Sequence, residues 1–340
     1  NLAKGEKALN SFTIGINDDV THLSLPVTEE INVAGEGVSE LIFYGLGSDG
    51  TVGANKNTIK LIGDNTDYYT QAYFAYDSKK SGGVTRSHLR FGKRPIKSTY
   101  LVNKAGFISC SLDTYLEKYD MLADLKKDGR FLLNTAKSPE ELVEFMPNKV
   151  KRQLAERNAK FYIIDALKLA MEAGLGTITN TIMQSAFFKL NEQILPYDEA
   201  IDLMKKYAYK SYIRKGEAVV EKNYKAIEIG GTGLIEVQVD PAWANLPDEE
   251  KTVEELPYFV EKLANPVNAI KGYDLPVSAF NGYEDGTMDN GSAAYEKRYI
   301  APFVPKWNSE NCIQCNQCSF VCPHAVIRPF LATEEEAAGA

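Results

Sequence analysis

The chain has 340 residues, of which 44% are hydrophobic and 25% are charged, and its formal net charge is −8. This length allows two or more domains with cores of their own, and the composition is typical of a soluble globular protein. The negative charge gives no general case for binding nucleic acid or an anionic membrane surface. No apolar run approaches the roughly 20 residues that span a bilayer, so we expect no membrane association.

The first 38 residues read as a linker from a preceding domain, and a pattern of alternating strands and helices begins at Ser39. The predicted strands cover residues 39–45, 70–76, 98–102, 106–110, 130–134 and 160–166. The predicted helices cover residues 112–129, 138–159, 180–190 and 197–230. Such alternation predicts an α/β fold with a doubly wound, Rossmann-like and mostly parallel sheet.

One of these helices carries its own start signal. Ser138 is the expected N-cap, Pro139 the first helical residue, and Glu141 stands three positions after the cap. This arrangement predicts a capping box, in which the two side chains satisfy each other's backbone N–H groups.

Nine of the fourteen prolines follow residue 240, which marks the end of regular structure because proline interrupts both helices and sheet ladders. We therefore assign residues 39–235 to one α/β domain and residues 236–300 to an irregular connector with a short helix at 248–265. Residues 301–340 carry four cysteines with the spacing C-x2-C-x2-C-x3-C-P, which predicts a truncated ferredoxin-like iron–sulfur segment. The domain prediction is thus 1–38, 39–235, 236–300 and 301–340.

Directly after the first strand, Gly45, Gly47 and Gly50 form a G-x-G-x-x-G pattern, and a helix follows from about Thr51. Glycines let the backbone turn tightly and approach a phosphate closely, and the helix N-terminus offers free N–H groups. This context favours a phosphate-bearing ligand over a purely structural tight turn.

The nature of that ligand depends on the residues after the second strand. Asp77 stands where NAD-binding domains carry an acidic residue for the ribose. Lys79 and Lys80 follow it, and two lysines suit a more highly charged polyphosphate such as coenzyme A. A solvated turn with both lysines facing water is the alternative.

Near its end the chain carries four cysteines with the spacing C-x2-C-x2-C-x3-C-P, at Cys312, Cys315, Cys318 and Cys322. Bacterial ferredoxins use this run, whose fourth cysteine serves a different cluster from the first three. The spacing departs from paired zinc knuckles, so we predict [4Fe–4S] clusters with incomplete ligation in this chain. Four clustered thiols favour metal ligation in a reducing compartment, and we expect a cytoplasmic protein.

The remaining candidates read as structural residues. Cys110 is expected to be a buried core thiol, and His324 adds nothing to a cysteine run that already supplies the ligands. No nucleophile and base stand close together around His22 or His88. We predict no catalytic residue in this chain.

Four stretches, in this order, closely resemble pyruvate:ferredoxin (flavodoxin) oxidoreductase. They are FYGLGSDGTVGANKNTIKLIGDNTD, YDSKKSGGVTRSHLRFG, YAYKSY and ENCIQCNQCSFVCPHAVIRP. The resemblance extends along essentially the whole chain. It implies an internal segment of a larger enzyme that decarboxylates pyruvate to acetyl-coenzyme A and passes electrons through clusters to ferredoxin or flavodoxin.

The resemblance also implies where the cofactors lie. Thiamine diphosphate with Mg²⁺ and a second cysteine run would belong to other domains of the same polypeptide, which would form a homodimer. The chain alone is then expected to be inactive. The coenzyme A role carries over to Gly47, Ser48, Asp49, Gly50, Lys79, Lys80 and Asn180.

One departure from the family concerns a loop near Asn180. Many relatives have an arginine where this chain has Ile178, which removes a phosphate partner. Two alternatives stay open from the residues: an NAD-linked iron–sulfur reductase module with Asp77 on the ribose, and a non-catalytic docking module for electron transfer.

Overall fold

The computed structural model describes residues 5, 10–29, 34–77, 82–249, 255–296 and 304–337. The chain divides into two compact units, Asn1–Ile300 and Ala301–Ala340. Within the described ranges, no helix has the length and apolar character needed to cross a bilayer.

A seven-stranded sheet forms the centre of the first unit. Its strands are β3 (Val38–Leu46), β4 (Tyr69–Tyr76), β5 (Val84–Gly92), β6 (Ala105–Cys110), β7 (Leu125–Asn134), β8 (Lys160–Ile164) and β9 (Ile235–Val237), in the spatial order β4-β5-β3-β6-β7-β8-β9. The four central strands β3, β6, β7 and β8 pair in parallel. Antiparallel pairs flank them, with β5 and β4 on one side and β9 on the other. The prediction of an α/β fold with a mostly parallel sheet is confirmed.

Helices cover both faces of this sheet, as expected of a doubly wound fold. The helices of the first unit are α1 (Thr51–Asn65), α2 (Tyr115–Lys118), α3 (Pro139–Phe145), α4 (Asn148–Glu156), α5 (Ala166–Glu172), α6 (Asn180–Leu190), α7 (Tyr197–Tyr212), α8 (Glu217–Gly230) and α9 (Asn265–Asn268). Helices α1 and α5–α8 share one core with the sheet, and α2–α4 share the core on the opposite face. The rings of Phe43, Phe107 and Phe187 meet at centroid distances of 5.4–5.7 Å, which joins β3, β6 and α6.

A buried ion network fixes β3 against β5. The Glu40 carboxylate accepts from Arg90 Nε at 3.0 Å and from Lys126 Nζ at 3.1 Å. Arg90 Nη1 also donates to Gln71 Oε1 and to the Tyr100 carbonyl. The two buried charges are thus paired and hydrogen-bonded, as such groups must be in an apolar interior.

Two strand predictions differ from the structure. Residues 98–102 were expected to form a strand, and this is wrong. Two of their carbonyls instead accept hydrogen bonds from side chains. The Gln71 amide donates to the Ser98 carbonyl at 2.6 Å, and the Arg90 guanidinium donates to the Tyr100 carbonyl at 2.8 Å. Strand β5 was missed because its buried residues are largely polar or charged, among them Ser87 and His88.

The helix predictions were correct in part. Where one helix was expected over 112–129, the structure has the four-residue α2 and a 3₁₀ helix at Met121–Asp124, and β7 begins at Leu125. The helix expected over 138–159 breaks at Pro147, because the residue before a proline avoids the helical region. The one expected over 197–230 breaks at Gly216, with φ of 103°.

The capping box is confirmed. Glu141 N–H donates to Ser138 Oγ at 3.2 Å, and Ser138 N–H donates to Glu141 Oε2 at 2.8 Å. Helix α3 therefore begins where the sequence indicated.

The helix expected over 248–265 is shorter and begins later. A π-helix spans Val260–Ala264 and leads into α9, while residues 250–254 lie outside the described part of the chain.

The two ends of the first unit are bonded to each other. Near the start of the chain, β1 (Thr13–Ile14) pairs in parallel with β2 (Ser24–Leu25). The Val277 N–H donates to the Asn17 carbonyl at 2.9 Å, and the Ser278 N–H donates to Asp19 Oδ1 at 2.9 Å. We call these two contacts the clasp.

Candidate functional site

The glycine loop, residues 45–50, connects β3 to α1. Ser48 and Gly50 have φ of 75° and 89°, in the left-handed region that glycine tolerates best. A Cβ on Gly45 would lie 2.6 Å from the Cβ of Thr51, so no larger residue fits there. The Gly47 N–H donates to the Gly83 carbonyl at 2.8 Å, which ties the loop to the start of β5. The glycine pattern thus meets real steric demands at this turn.

Asp49 is engaged inside the loop. Its carboxylate accepts from the Thr51 N–H at 2.8 Å, from the Thr51 hydroxyl at 2.8 Å and from the Leu46 N–H at 2.9 Å. Asp49 therefore fixes the loop and satisfies the first free N–H group of α1. Among the described residues, nothing accepts a hydrogen bond from the next two N–H groups, of Val52 and Gly53. Those two donors are free for an anion.

Asn180, from the start of α6, lies directly against the glycine loop. Its side-chain atoms lie 3.0–3.3 Å from the place where a Cβ on Gly50 would stand. Within the part of the chain that the structure describes, its buried Oδ1 has no hydrogen-bond partner. The structure thus brings Asn180 together with Gly50, two residues that are 130 positions apart in the sequence.

A cavity of about 320 Å³ opens at the glycine loop. Its walls include Ser48, Gly50, Val52, Asp77 and Val84. This volume is at the lower end of the roughly 300–1,000 Å³ of small-molecule sites. Lys79 and Lys80 belong to residues 78–81, which lie outside the described residues.

Asp77 lines this cavity, but its strand is not placed as in a dinucleotide-binding domain. There the second strand of the βαβ unit lies beside the first. Here β5 runs antiparallel between β3 and β4 and separates them by one strand. The geometry expected for Asp77 on a ribose is therefore altered.

The loop before α6 contains Ile178. Gly174 and Gly176 both have positive φ, and Ile178 is 55% exposed. An aliphatic side chain there offers no hydrogen-bond donor to a ligand.

The cysteine run lies in the second unit, which contains helices α10 (Gln317–Val321) and α11 (Glu334–Ala337). Cys312, Cys315 and Cys318 are exposed and Cys322 is half-buried. The Val326 N–H lies 3.3 Å from the Cys322 sulfur. N–H groups of the following backbone, first that of Ile327, lower the pKa of this thiol.

These four thiols suit an iron–sulfur cluster by chemical type, since thiolates are its usual ligands. No three His, Cys, Asp or Glu side chains among the described residues converge to hold a metal ion.

Two buried side chains of the sheet, Cys110 and His88, have pKa values that keep them uncharged. Burial raises the pKa of the Cys110 thiol to about 12, which agrees with the predicted core thiol. Burial and the neighbouring Arg86 lower the pKa of His88 to about 4. Both groups are neutral at physiological pH.

Comparison with known proteins identifies the family. The model for "Pyruvate ferredoxin/flavodoxin oxidoreductase" matches residues 40–232, which include the sheet and the glycine loop. The chain belongs to this family. A domain of unknown function matches residues 247–301, and a 4Fe-4S binding domain matches residues 304–327.

The sequence relatives cover nearly the whole chain. Pyruvate:ferredoxin oxidoreductase from Moorella thermoacetica is 51% identical over 97% of this chain and 28% of its own length. The mitochondrial pyruvate dehydrogenase [NADP(+)] from Euglena gracilis is 43% identical over 99% of this chain and 19% of its own length. The chain thus spans less than a third of these relatives.

A solved structure also matches. Pyruvate oxidoreductase subunit PORC from Thermotoga maritima is 20% identical, with a TM-score of 0.48, over 60% of this chain and all of that one.

In this pyruvate ferredoxin/flavodoxin oxidoreductase segment, sequence reasoning missed part of the site. Gly83 and Thr51 hold the glycine loop, and Arg86 lines an adjoining cavity. No local signal pointed to Arg86, because the sequence pattern did not reveal β5, the strand at whose start it lies.

Proposed function

We propose that this chain is the coenzyme A-binding and electron-transfer segment of a pyruvate:ferredoxin or pyruvate:flavodoxin oxidoreductase. The glycine loop carries the proposal, because free N–H groups at the start of α1 open onto a cavity of ligand size. Family membership favours this function over the NAD-linked module and over a passive docking module.

Residues of the glycine loop and of the first turn of α1 have distinct tasks in this proposal. The N–H groups of Val52 and Gly53 donate to phosphate oxygens. Gly47 and Gly50 let the loop pack closely, since a Cβ would lie 3.2 Å from the Gly83 carbonyl oxygen and 3.0 Å from the Asn180 side chain. Ser48 lies at the exposed tip of the loop, where its hydroxyl is available to the same phosphate. Asp49 acts as a positioning residue, since its carboxylate is already occupied.

Asn180 offers one more polar contact. Its unpartnered Oδ1 can accept a hydrogen bond from the ligand or from a water beside Gly50. Lys79 and Lys80 follow Asp77 in sequence, and they supply positive charge for the pyrophosphate.

The other parts of the reaction belong to chain beyond this segment. Thiamine diphosphate with Mg²⁺, held on other domains of the polypeptide, supplies the decarboxylation chemistry, and the acyl group leaves on coenzyme A. Cys312, Cys315, Cys318 and Cys322 contribute to two [4Fe–4S] clusters that a second cysteine run completes. The full-length enzyme is a cytoplasmic homodimer that passes electrons to ferredoxin or flavodoxin.

The domain roles follow from the same argument. Residues 39–235 bind coenzyme A, 236–300 connect, and 301–340 begin the ferredoxin-type domain, while residues 1–38 link to a preceding domain.

The test is calorimetric titration of coenzyme A into wild type and into a Lys79→Ala, Lys80→Ala double variant. Each lysine–phosphate contact contributes on the order of 1.5–3 kcal/mol when partly shielded and less when exposed. The double variant should therefore bind at least about tenfold more weakly. Wild-type affinity should also fall as salt shortens the screening length from about 10 Å at 0.1 M to about 3 Å at 1 M.

A Lys93→Ala, Lys97→Ala double variant is the matched control. These exposed lysines lie after the far end of β5, so they should not affect binding. Equal affinities for all three proteins would remove the lysines from the site. Tighter binding of NADH than of coenzyme A would overturn the proposed function.

A further inference from the structure

A second cavity, of about 410 Å³, adjoins the one at the glycine loop. The two share Tyr76, Asp77 and Val84 as walls, so a ligand that passes over Asp77 contacts both. The second cavity lies between one end of the β4–β5 pair and the end of α9 with the residues that follow it. A coenzyme A molecule is too long for the first cavity alone, and the adjoining space is open to a further part of a ligand of that length.

Arg86 is the cation of this second cavity. It is half-buried, and it stands opposite Tyr44 in β3 and Ala75 in β4. Among the ion pairs of the described residues none involves Arg86; its guanidinium lies against the Tyr44 hydroxyl, and Asp77 is the carboxylate on the same cavity wall. A half-buried arginine that lines a cavity without an acidic partner is suited to bind an anion, and its planar fork matches a phosphate.

Aromatic side chains line the same cavity. Tyr76 is 61% exposed and Tyr273 is 95% exposed, one on the sheet and one on the connector. Exposed rings at a cavity provide flat surfaces for a base, and such stacking tolerates solvent on the outer side. Val267 and Ile270 add apolar wall from the connector.

The spacing of these groups fits one half of coenzyme A. Arg86 pairs with Tyr44, two residues before the end of β3 at Leu46, so its backbone lies roughly 7 Å along the strand from the turn of the glycine loop, at about 3.4 Å per residue. In coenzyme A the 3′-phosphate and the pyrophosphate are separated by a ribose, which is a similar span.

We infer that the second cavity holds the adenosine 3′-phosphate end of coenzyme A, with Arg86 on the 3′-phosphate and Tyr273 and Tyr76 beside the adenine. The inference rests on the proposed function and deepens it. It assigns the pyrophosphate to the glycine loop and the selectivity for a 3′-phosphate to Arg86. Arg86 would thereby compensate for the arginine that many relatives have at the position of Ile178.

Calorimetry on the full chain with coenzyme A, 3′-dephospho-coenzyme A and 4′-phosphopantetheine tests this assignment. Wild type should bind coenzyme A about tenfold or more tightly than the dephospho form, since one charge-assisted contact distinguishes them. Arg86→Gln should remove this preference and leave the affinity for 3′-dephospho-coenzyme A unchanged. Tyr273→Ala should weaken both nucleotides about fivefold or more and leave 4′-phosphopantetheine unchanged.

Two control variants complete the design. Arg94→Gln changes an exposed arginine after the far end of β5, and Tyr209→Ala changes a 49% exposed tyrosine on α7. Both should behave as wild type. Circular dichroism melting of every variant shows that it is folded.

The outcomes distinguish a failure of the proposed function from a failure of the assignment of Arg86. If folded wild type binds neither nucleotide, the proposed function fails. If wild type binds both and Arg86→Gln keeps the wild-type preference for coenzyme A, the proposed function stands and the assignment of Arg86 is overturned.

Discussion

His88 shows how a buried residue couples the stability of the sheet to pH. Its side chain is 4% exposed on β5, and burial together with Arg86 and Arg90 lowers its pKa to about 4. In the unfolded chain the pKa returns to about 6.5. Between these values the unfolded state binds more protons than the folded state, so stability falls as the pH falls from 6.5 to 4.

We expect this histidine to contribute a loss of up to about 3 kcal/mol over that range. Denaturant unfolding at pH 7.0, 6.0, 5.0 and 4.5 measures it, in wild type and in His88→Gln. The variant should show a shallower decline of unfolding free energy with acidity, whatever its stability at pH 7. Parallel declines would mean that the imidazole takes up a proton without unfolding.

At the scale of the element, two glycines at the start of α1 differ in whether a side chain would fit. Gly50 in the glycine loop has no room for one, and Gly53 in the first turn of α1 does. Gly50 has φ of 89° and faces Asn180 at 3.0–3.3 Å, whereas a Cβ on Gly53 meets nothing within 4 Å. Gly50→Ala should therefore lower the unfolding free energy by about 1–2 kcal/mol and weaken coenzyme A binding. Gly53→Ala should raise the unfolding free energy by up to about 1 kcal/mol.

Thermal melts and coenzyme A titrations of both variants check this pair. A Gly50→Ala variant as stable as wild type, with full affinity, would show that the loop accommodates a side chain by moving Asn180. Gly53→Ala then serves as the control for the added methyl group.

Elements with simple periodicity could be predicted from sequence, and elements with buried polar residues could not. The central strand at residues 39–45 was found because Leu41, Ile42 and Phe43 form a continuous apolar run, typical of a strand covered on both faces. Strand β5 was missed because Arg90 is buried through its bond to Glu40, a partner 50 residues away. Local patterns contain no information about such a partner.

Contacts between residues distant in sequence also limited what could be predicted of the site. The glycine loop was predicted because its steric demands are local, and a resemblance gave Asn180 the same coenzyme A role, but only the structure shows that Asn180 contacts Gly50. The cavity with Arg86 and Tyr273 is built from elements almost 190 residues apart, which only the fold brings together. Whether the predicted site residues bind the ligand stays a prediction that the titrations test.

At the scale of the whole molecule, the chain spans 28% of the length of its relative from Moorella thermoacetica. The proposed function assigns this chain the binding of the acyl acceptor and places thiamine diphosphate on other domains. We expect the purified chain to reduce no viologen dye with pyruvate, coenzyme A, thiamine diphosphate and Mg²⁺ present. The physical reason is that binding the acyl acceptor does not activate the carbonyl of pyruvate. Pyruvate-dependent dye reduction above a no-protein control would contradict this.

The clasp also has a consequence for the order of folding. It joins Asp19 to Ser278 across a separation of 259 residues. The entropic cost of closing a chain loop rises with the number of residues in the loop. The sheet shortens this loop by ordering most of the residues in between, so the clasp should form after the sheet and open before it. Amide hydrogen exchange at Val277 and Ser278 should accordingly be faster than in β3 and β6, because these amides report a late, local closure rather than global unfolding.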